Sequence, residues 1–254
     1  MQMPVKYTSR FSAKVWLLYF LATIGLVGAT LAYGFAAPLY LLGLAWKPAS
    51  KAADRVIVWG IGWLMRIQPW LSADIQISVV DPRVRTTGVL MVSNHRSHLD
   101  SFILLSQVQG IRILAKRTLF YVPFLGMMMR MTRQIPARRG QLDSFWKAIE
   151  LIRLRLRQGD VVHVFPEMTR CSPGFTGTAN FSIAPFLTAI QERVPVIPVV
   201  FTGTDAVWPK GSFGLNFRRP VTAKALAPID SAGYTSAEAL RDETRRRINE
   251  ALLA

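Results

Sequence analysis

Beyond about residue 70, the hydrophobic positions of the chain follow two alternating periods. Short runs rich in β-branched residues, which predict strands, occur at Ile75–Val80, Val89–Ser93, Ile111–Ala115, Val161–Phe165 and Val194–Phe201. Stretches with helical spacing occur at Leu99–Gln107, Thr118–Met131, Leu142–Arg157, Phe181–Glu192 and Ser236–Leu253. Strands that alternate with helices predict an α/β domain with a mixed, largely parallel sheet flanked by helices.

The N-terminal region differs, because 32 consecutive residues from Val15 to Trp46 include no charged residue and no histidine. About 20 apolar residues suffice to cross the hydrocarbon of a bilayer, so this segment is long enough to span a membrane. Its glycines and Pro38 leave two geometries open, a tilted span and a kinked hairpin within one leaflet. A cleaved signal peptide is the alternative, but no small-residue cleavage site follows and the stretch is about twice as long as a signal core.

A second apolar stretch, Val56–Leu71, contains three tryptophans beside Arg66. Tryptophans next to a basic residue are typical of a membrane interface. A helix in the core of the following domain explains the pattern equally well. Residues 1–70 are therefore expected to form N-terminal membrane-anchoring helices, and residues 71–254 the α/β domain.

The composition agrees with a folded chain that is partly in contact with lipid. Of 254 residues, 51% are apolar and 18% are charged, which excludes a disordered or collagen-like chain. The single cysteine, Cys171, excludes a disulfide within the chain. The net charge of +16 calls for an anionic partner, and most of the excess in the α/β domain falls within Arg112–Arg157. Next to a membrane segment, anionic headgroups are favoured as that partner, so no nucleic acid is expected.

Two of the three histidines fall in the string NHRSHLD, which follows a predicted buried strand and opens a helix. Strand carboxyl ends usually line the ligand crevice of an open α/β sheet. Ser97 and Asp100 fit the capping box of a helix start, and this start leaves His95 in the preceding turn, free to fold back onto Asp100. The carboxylate would then fix the imidazole tautomer, and His95 would be a general base for a hydroxyl.

Other interpretations of this string stay open. In the alternative interpretation, Asp100 only caps the helix and His95 is a polar residue of the turn. His98 is expected to have a structural role. A metal site made of these three residues and Glu167 lacks the spacing of known ligand motifs, so no metal is expected. A serine hydrolase is disfavoured because the chain has no G-x-S-x-G elbow.

Two further strings place charge at strand ends. VFPEMTRC puts Glu167, Thr169 and Arg170 into a tight loop, where a guanidinium suits a phosphate group. A local ion pair is the alternative. RQIPARRG places Arg138 and Arg139 after a short extended run, a pattern that is also common in solvated loops.

Together the strings resemble the glycerolipid acyltransferases of the lysophosphatidate acyltransferase type, over roughly Val89–Val200. His95 and Asp100 correspond to the family's histidine and aspartate with four residues between them. Arg139 corresponds to the substrate-binding arginine of the second motif. Further similarities in the same order are Lys116, Pro123-Phe124 with Gly126, Phe165-Pro166-Glu167 with Thr169-Arg170, and Val194–Pro198.

Three positions depart from the family's pattern. Met168 stands where glycine is normal, Arg138 where an acid is usual, and Ala184 where a glycine often precedes the fourth motif. A methionine adds bulk where backbone would approach a ligand closely. These departures bear on the acceptor headgroup, whereas the acyl-transfer chemistry stays as expected.

The resemblance implies a glycerolipid acyltransferase-like fold and a membrane-bound 1-acylglycerol-3-phosphate O-acyltransferase. It implies lysophosphatidate as acceptor, acyl-CoA or acyl carrier protein as donor, no cofactor, and the inner (cytoplasmic) membrane, with the catalytic domain on its cytoplasmic face. Backbone N–H groups near the helix start are expected to stabilise the oxyanion. The implied catalytic residues are His95 and Asp100, and the implied substrate-binding residues are Arg139, Glu167, Thr169 and Arg170.

Two assignments remain open within this expectation, and two alternatives stand beside it. The basic stretch Arg112–Arg157 either holds the domain on anionic lipid or receives an acidic carrier protein or the phosphates of coenzyme A. The apolar stretch Thr118–Met131 is expected to be core rather than the wall of an acyl channel. The alternatives are an acyltransferase for another lyso-lipid, such as one with an amino-acid headgroup, and a non-catalytic, membrane-tethered protein that binds nucleic acid or anionic lipid.

Overall fold

The structure is a computed structural model, and several sequence predictions lie outside the residues that it describes. Arg139, Pro123 and Phe124 are outside them, as is most of the apolar segment Val15–Trp46. The described residues are 24, 27–28, 31, 34, 36–43, 45–67, 75–78, 88–122, 125–138, 140–172, 174–211 and 220–253.

A seven-stranded sheet forms the centre of the domain. Its strands are β1 (Ile75–Ser78), β2 (Val89–Ser93), β3 (Ile111–Lys116), β4 (Ile135–Ala137), β5 (Val161–Val164), β6 (Val196–Thr202) and β7 (Val221–Ala225). They lie in the order β1-β7-β6-β2-β5-β3-β4, and all neighbours are parallel except β6 and β7, which are antiparallel. The predicted mixed, largely parallel sheet is therefore confirmed.

Helices cover both faces of this sheet. In strand β2, Val89 and Met91 belong to one buried apolar cluster, and Leu90 and Val92 belong to the other. A strand buried on both faces reads as a continuous apolar run, as this one does. The helices are α1 (Lys47–Ile67), α2 (Leu99–Gln107), α3 (Leu125–Met131), α4 (Leu142–Arg157), α5 (Ala184–Glu192), α6 (Thr204–Val207) and α7 (Ala237–Leu253), with 3₁₀ turns at Arg117–Tyr121 and Ser231–Gly233.

The predicted single helix Thr118–Met131 is wrong, because the stretch forms a 3₁₀ turn and the separate helix α3. The break falls at Val122, which is extended with ψ 126°. The residue before a proline is disfavoured in the helical region, and proline follows Val122 in the sequence. Strand β7 and its antiparallel pairing with β6 were not predicted from the sequence.

Helix α1 packs on the α/β domain, although the sequence placed it within the anchoring region. Its residues Ala53 and Ile57 are buried in the same apolar cluster as residues of helix α2, whereas Trp59 is 66% exposed. The buried Ile57 fits the interpretation of this stretch as a core helix. Among the helices of the described residues, none combines the length and apolar character that crossing a bilayer requires.

A buried ion network ties α1 to the sheet. Arg112, at the start of β3, donates to Asp54 of α1 at 3.0 Å and to Asp160 at 3.2 Å, and Tyr40 donates to the same Asp54 at 2.7 Å. Burial acts to lower the pKa of Arg112, but the hydrogen bonds and charges of Asp54 and Asp160 raise it above its ordinary value. A buried guanidinium is tolerated when carboxylates neutralise it in this way.

We predict that Gly126→Ala destabilises the fold through a backbone clash. An added Cβ at Gly126 would lie 2.1 Å from the carbonyl oxygen of Phe120. The free energy of unfolding should fall by about 2 kcal/mol. Gly233→Ala is the control because no atom lies within 4 Å of the corresponding Cβ. Thermal unfolding checks both variants, and a wild-type midpoint for Gly126→Ala would contradict the close approach.

Candidate active site

The imidazole of His95 contacts the carboxylate of Asp100 at the carboxyl end of β2. Nδ1 of His95 lies 3.0 Å from Oδ2 of Asp100, whose side chain is fully buried, whereas the His95 side chain is 16% exposed. An ionised carboxylate only accepts hydrogen bonds, so we assign the proton to Nδ1, which leaves the lone pair on Nε2. The contact expected from the sequence spacing is therefore present.

The start of helix α2 holds this carboxylate in place. Oδ2 of Asp100 also accepts from the backbone N–H groups of Arg96 and Ser97, both at 2.8 Å. The predicted capping box forms in part: the N–H of Ser97 donates to Asp100 as expected, whereas Oγ of Ser97 accepts from the N–H of Leu99, at 3.2 Å, rather than from that of Asp100. Because these three N–H groups are bonded within the protein, the oxyanion donors expected at the helix start are not among them.

Glu167 forms hydrogen bonds that hold the backbone around His95. Its Oε1 accepts from the N–H of His95 at 2.8 Å, and the N–H of Cys171 donates to the carbonyl of His95 at 3.0 Å. Oε2 of Glu167 accepts from the N–H of Ala179 and from the Cys171 thiol, both at 2.8 Å. Burial raises the pKa of Cys171 to about 11, so its sulfur is a neutral donor. Both oxygens of Glu167 thus face donors of the chain, which differs from the expected contact with substrate.

Aromatic rings support the other side of the His95 imidazole. The ring of Phe165 stacks on it with centroids 3.8 Å apart. His163, fully buried in β5, lies edge-on to Phe165, and its Nε2 is 2.9 Å from Oγ of Ser93. Burial, with a smaller contribution from His95, lowers the pKa of His163 to about 3. Sequence reasoning missed His163, and the available signal was a lone histidine in a run that reads as a buried strand.

Two further polar residues, which the sequence did not single out, bond the loop after β2 to the rest of the fold. The side-chain amide of Asn94 donates to the carbonyl of Phe201 and accepts from its N–H, both at 2.8 Å, so it joins the loop to β6. The guanidinium of Arg96 donates to the carbonyls of Phe175 and Gly177. Both side chains are buried, and their position within NHRSHLD was the only signal of their importance.

The remaining predicted residues lie on the loop after β5. Thr169 is exposed, and the backbone carbonyl of Arg170 accepts from Nζ of Lys210 at 2.8 Å. Burial lowers the pKa of His98, and the charge of Arg170 lowers it further. His98 itself lies edge-on to Trp208. No group of three metal-ligating side chains occurs in the described part of the chain.

The three positions that depart from the family's pattern line one apolar cavity. The cavity has a volume of about 510 Å³, and Arg138, Met168 and Ala184 lie in its wall beside apolar residues of α4. The backbone of Met168 has φ +56°, in the left-handed region where glycine is the usual residue. The N–H of Met168 donates to the carbonyl of Phe165 at 3.0 Å, so this part of the cavity wall is bonded to the residue whose ring stacks on His95.

Comparison with known proteins gives one family. Residues 74–202, just over half of the chain, match the family model described as Acyltransferase. A chloroplastic 1-acyl-sn-glycerol-3-phosphate acyltransferase of Brassica napus is 32% identical over 73% of this chain and 52% of that protein. The 1-acyl-sn-glycerol-3-phosphate acyltransferase of Saccharomyces cerevisiae is 30% identical over 68% of this chain and 59% of that protein. The chain thus spans about half the length of these curated relatives.

A solved structure agrees over nearly the whole chain. The crystal structure of the 1-acyl-sn-glycerophosphate (LPA) acyltransferase PlsC from Thermotoga maritima superposes with a TM-score of 0.68 at 25% sequence identity. The match covers 91% of this chain and 96% of that one. The similarity therefore extends beyond the segment that carries the motifs.

We predict that His163 makes stability fall as the pH falls. Its pKa is about 3 in the folded chain and 6.5 ordinarily, so below pH 6.5 the unfolded chain binds a proton that the folded chain does not. The contribution is fully present above pH 6.5 and is lost towards pH 3, by at most about 1.4 kcal/mol per pH unit. Between pH 7.5 and 4.5, the free energy of unfolding of the His163→Gln variant should fall less steeply with falling pH than that of the wild-type protein. Ser93→Ala removes the hydrogen bond but keeps the wild-type slope, and equal slopes in all three proteins would refute the assignment.

Proposed function

The chain belongs to the acyltransferase family, and we propose that it transfers a fatty acyl chain from an acyl thioester to the free hydroxyl of lysophosphatidate, giving phosphatidate. The observation that carries the proposal is the 3.0 Å contact between His95 and the buried carboxylate of Asp100. The names of the relatives in Brassica napus and Saccharomyces cerevisiae support this acceptor.

The chemistry needs one base and one acid, and His95 supplies both in turn. Its Nε2 takes the proton of the acceptor hydroxyl while the oxygen attacks the thioester carbonyl carbon. The C–S bond then breaks, and the departing thiolate takes the same proton from the imidazolium, so the products are an ester and a free thiol. Asp100 stabilises the imidazolium between the two steps. Because both substrates meet in one cleft, no covalent acyl-enzyme is needed.

Glu167 acts in this scheme as a positioning residue. Its carboxylate fixes the backbone of His95 on one side and the loop that contains Cys171 and Ala179 on the other. A carboxylate beside a phosphate would repel it, which also favours this role over direct phosphate binding. Arg139, Thr169 and Arg170 are proposed to bind the phosphate, since an arginine fork matches phosphate oxygens.

The apolar cavity next to Met168 is proposed to hold an acyl chain. Its volume of about 510 Å³ and its apolar lining suit a hydrocarbon chain. Arg138, Met168 and Ala184 line this cavity, so these departures act on the accommodated chain rather than on the acceptor headgroup. This placement favours lysophosphatidate over a lyso-lipid with another headgroup.

Residues 15–46 are proposed to anchor the enzyme in the inner (cytoplasmic) membrane, with the catalytic domain on the cytoplasmic face. The supporting feature is their length without any charge. Helix α1 also packs on the domain, because the pair of Asp54 and Arg112 joins it to the sheet, and Ala36 and Tyr40 lie in the same buried cluster as Ile57.

We predict that deletion of residues 1–35 releases the protein from membranes and leaves its fold intact. The deletion keeps α1 together with Ala36 and Tyr40, which lie in the same buried cluster, whereas deletion of residues 1–70 would expose the apolar surface that α1 covers. Flotation with vesicles at high salt, followed by thermal unfolding, measures both properties. A folded truncated chain that still floats with vesicles would show that the anchor lies elsewhere.

We predict that His95→Ala lowers kcat for acyl transfer to lysophosphatidate by about 10³-fold, because the hydroxyl loses its base. His98→Ala is the matched control, since His98 is the second histidine of the same loop and its ring packs edge-on to Trp208. It should stay within about fivefold of wild type. Release of free thiol from the donor measures turnover. Equal activity of His95→Ala and wild type would show that His95 is not the base. If the wild-type protein acylates a different lyso-lipid but not lysophosphatidate, the proposed acceptor is wrong.

A further inference from the structure

His163 is a polar residue in an otherwise apolar strand. Strand β5 reads VVHV and is buried throughout, and the side chain of His163 has no exposed surface. Its Nε2 lies 2.9 Å from Oγ of Ser93, but its Nδ1 is buried without a hydrogen-bond partner among the described residues. A buried polar atom without a partner destabilises a fold, so an apolar side chain would be more favourable for the strand alone. The imidazole is therefore expected to have a role beyond packing.

The ring of His163 contacts the aromatic residue that supports the candidate base. His163 is level with Met91 of β2 and Ile113 of β3, which belong to the same apolar cluster as Phe165. Phe165 follows His163 by two residues, and side chains two apart along an extended chain point to the same side. The two rings meet at 77° with their centroids 4.4 Å apart. An edge-to-face contact of this kind holds one ring against the other.

The hydrogen bond to Asp100 does not by itself fix the plane of the His95 imidazole. It holds Nδ1 at 3.0 Å from Oδ2, but a single hydrogen bond constrains one atom of the ring, so the ring can still tilt about that contact. Phe165 removes this tilt, because its ring stacks on the imidazole with centroids 3.8 Å apart and an interplanar angle of 21°. Asp100 and Phe165 together determine where Nε2 of His95 points.

Ser93 completes this series of contacts. It ends strand β2, its side chain is fully buried, and its hydroxyl lies within hydrogen-bond distance of the His163 ring. Because hydrogen bonds are directional, this bond sets the orientation of the imidazole, which an aliphatic side chain at the same place would not share. The contacts thus run from Ser93 through His163 and Phe165 to His95.

The neutral state of His163 is compatible with this position. Burial, with a smaller contribution from the charge of His95, lowers the pKa of His163 to about 3. The ring therefore stays uncharged when His95 takes a proton from an acceptor hydroxyl. A cation at this place would oppose the imidazolium, since neighbouring like charges disfavour each other.

We propose that His163 is a positioning residue, which fixes the plane of the His95 imidazole by holding the ring of Phe165 against it. Its side chain is fully buried, so it acts on the base and touches neither substrate. The consequence for turnover rests on the proposed acyl transfer: a base whose plane is fixed directs its Nε2 at the acceptor hydroxyl as soon as the substrate binds.

The kinetic test uses His163→Leu, which removes the hydrogen bond and the aromatic contact and keeps a side chain of similar size. Because the base is less well aligned, kcat for acyl transfer to lysophosphatidate should fall about tenfold, while KM for acceptor and donor stays within about twofold. Met91→Leu is the matched control, since Met91 is buried level with His163 in β2, and its kcat should equal that of wild type. A rise in KM with unchanged kcat would overturn the inference.

A double-variant cycle separates positioning from a general loosening of the core. If His163 acts through Phe165, then His163→Leu should change kcat by less than about twofold in a Phe165→Leu background, because the ring that it holds is already absent. If the effects of the two substitutions multiply in the double variant, the residues act independently and the inference is overturned.

A spectroscopic measurement on the full chain in detergent micelles does not depend on turnover. The stacked ring of Phe165 should shift the ring proton resonances of His95 upfield, and His95→Ala identifies these resonances among those of the three histidines. They should move downfield in His163→Leu and in the milder variant Ser93→Ala, and stay in place in Met91→Leu. If they do so but the wild-type protein transfers no acyl chain, the proposed function fails and the positioning role stands. Unchanged His95 resonances in His163→Leu and Ser93→Ala would overturn it.

Discussion

A buried carboxylate at the first turn of helix α2 determines the geometry of the candidate site. Removing a carboxylate from water costs several kcal/mol unless partners compensate it. Asp100 finds these partners in two backbone N–H groups at the positive end of α2 and in the imidazole of His95, all bonded to the same oxygen. Its other oxygen has no hydrogen-bond partner among the described residues. Moving the imidazole away would therefore leave a buried charge short of a donor, which keeps His95 over the helix start.

The loop that carries His95 depends in turn on strands that are remote in the sequence. Asn94 binds the backbone of Phe201 across 107 residues, and Glu167 binds the backbone of His95 across 72 residues. These bonds are possible because β2 lies between β5 and β6 at the centre of the sheet. The candidate base thus sits in a rigid frame of buried polar contacts, which suits a group whose distance to a bound hydroxyl must be well defined.

The positive charge of the chain has two different physical roles. Where arginines meet carboxylates inside the fold, as Arg112 does, the charge is structural and joins helices to the sheet. Where they lie beside each other around a pocket of about 470 Å³ next to β4, as Arg133 and Arg155 do, none of them forms an ion pair with a carboxylate among the described residues. A net charge of +16 does not distinguish these roles, because it counts both groups alike.

Features that depend on near neighbours along the chain follow from the amino-acid sequence. Apolar periods located most strands and helices, and the capping box placed the start of α2 so that His95 could reach Asp100. The tertiary structure alone decided the packing of α1, the antiparallel strand β7, the buried state of His163 and the contacts of Glu167. The spacing of apolar residues indicates which side chains are buried, and a local motif indicates contacts between residues a few positions apart in the chain. Neither specifies which distant backbone group will meet a side chain, since that depends on the order in which the strands assemble.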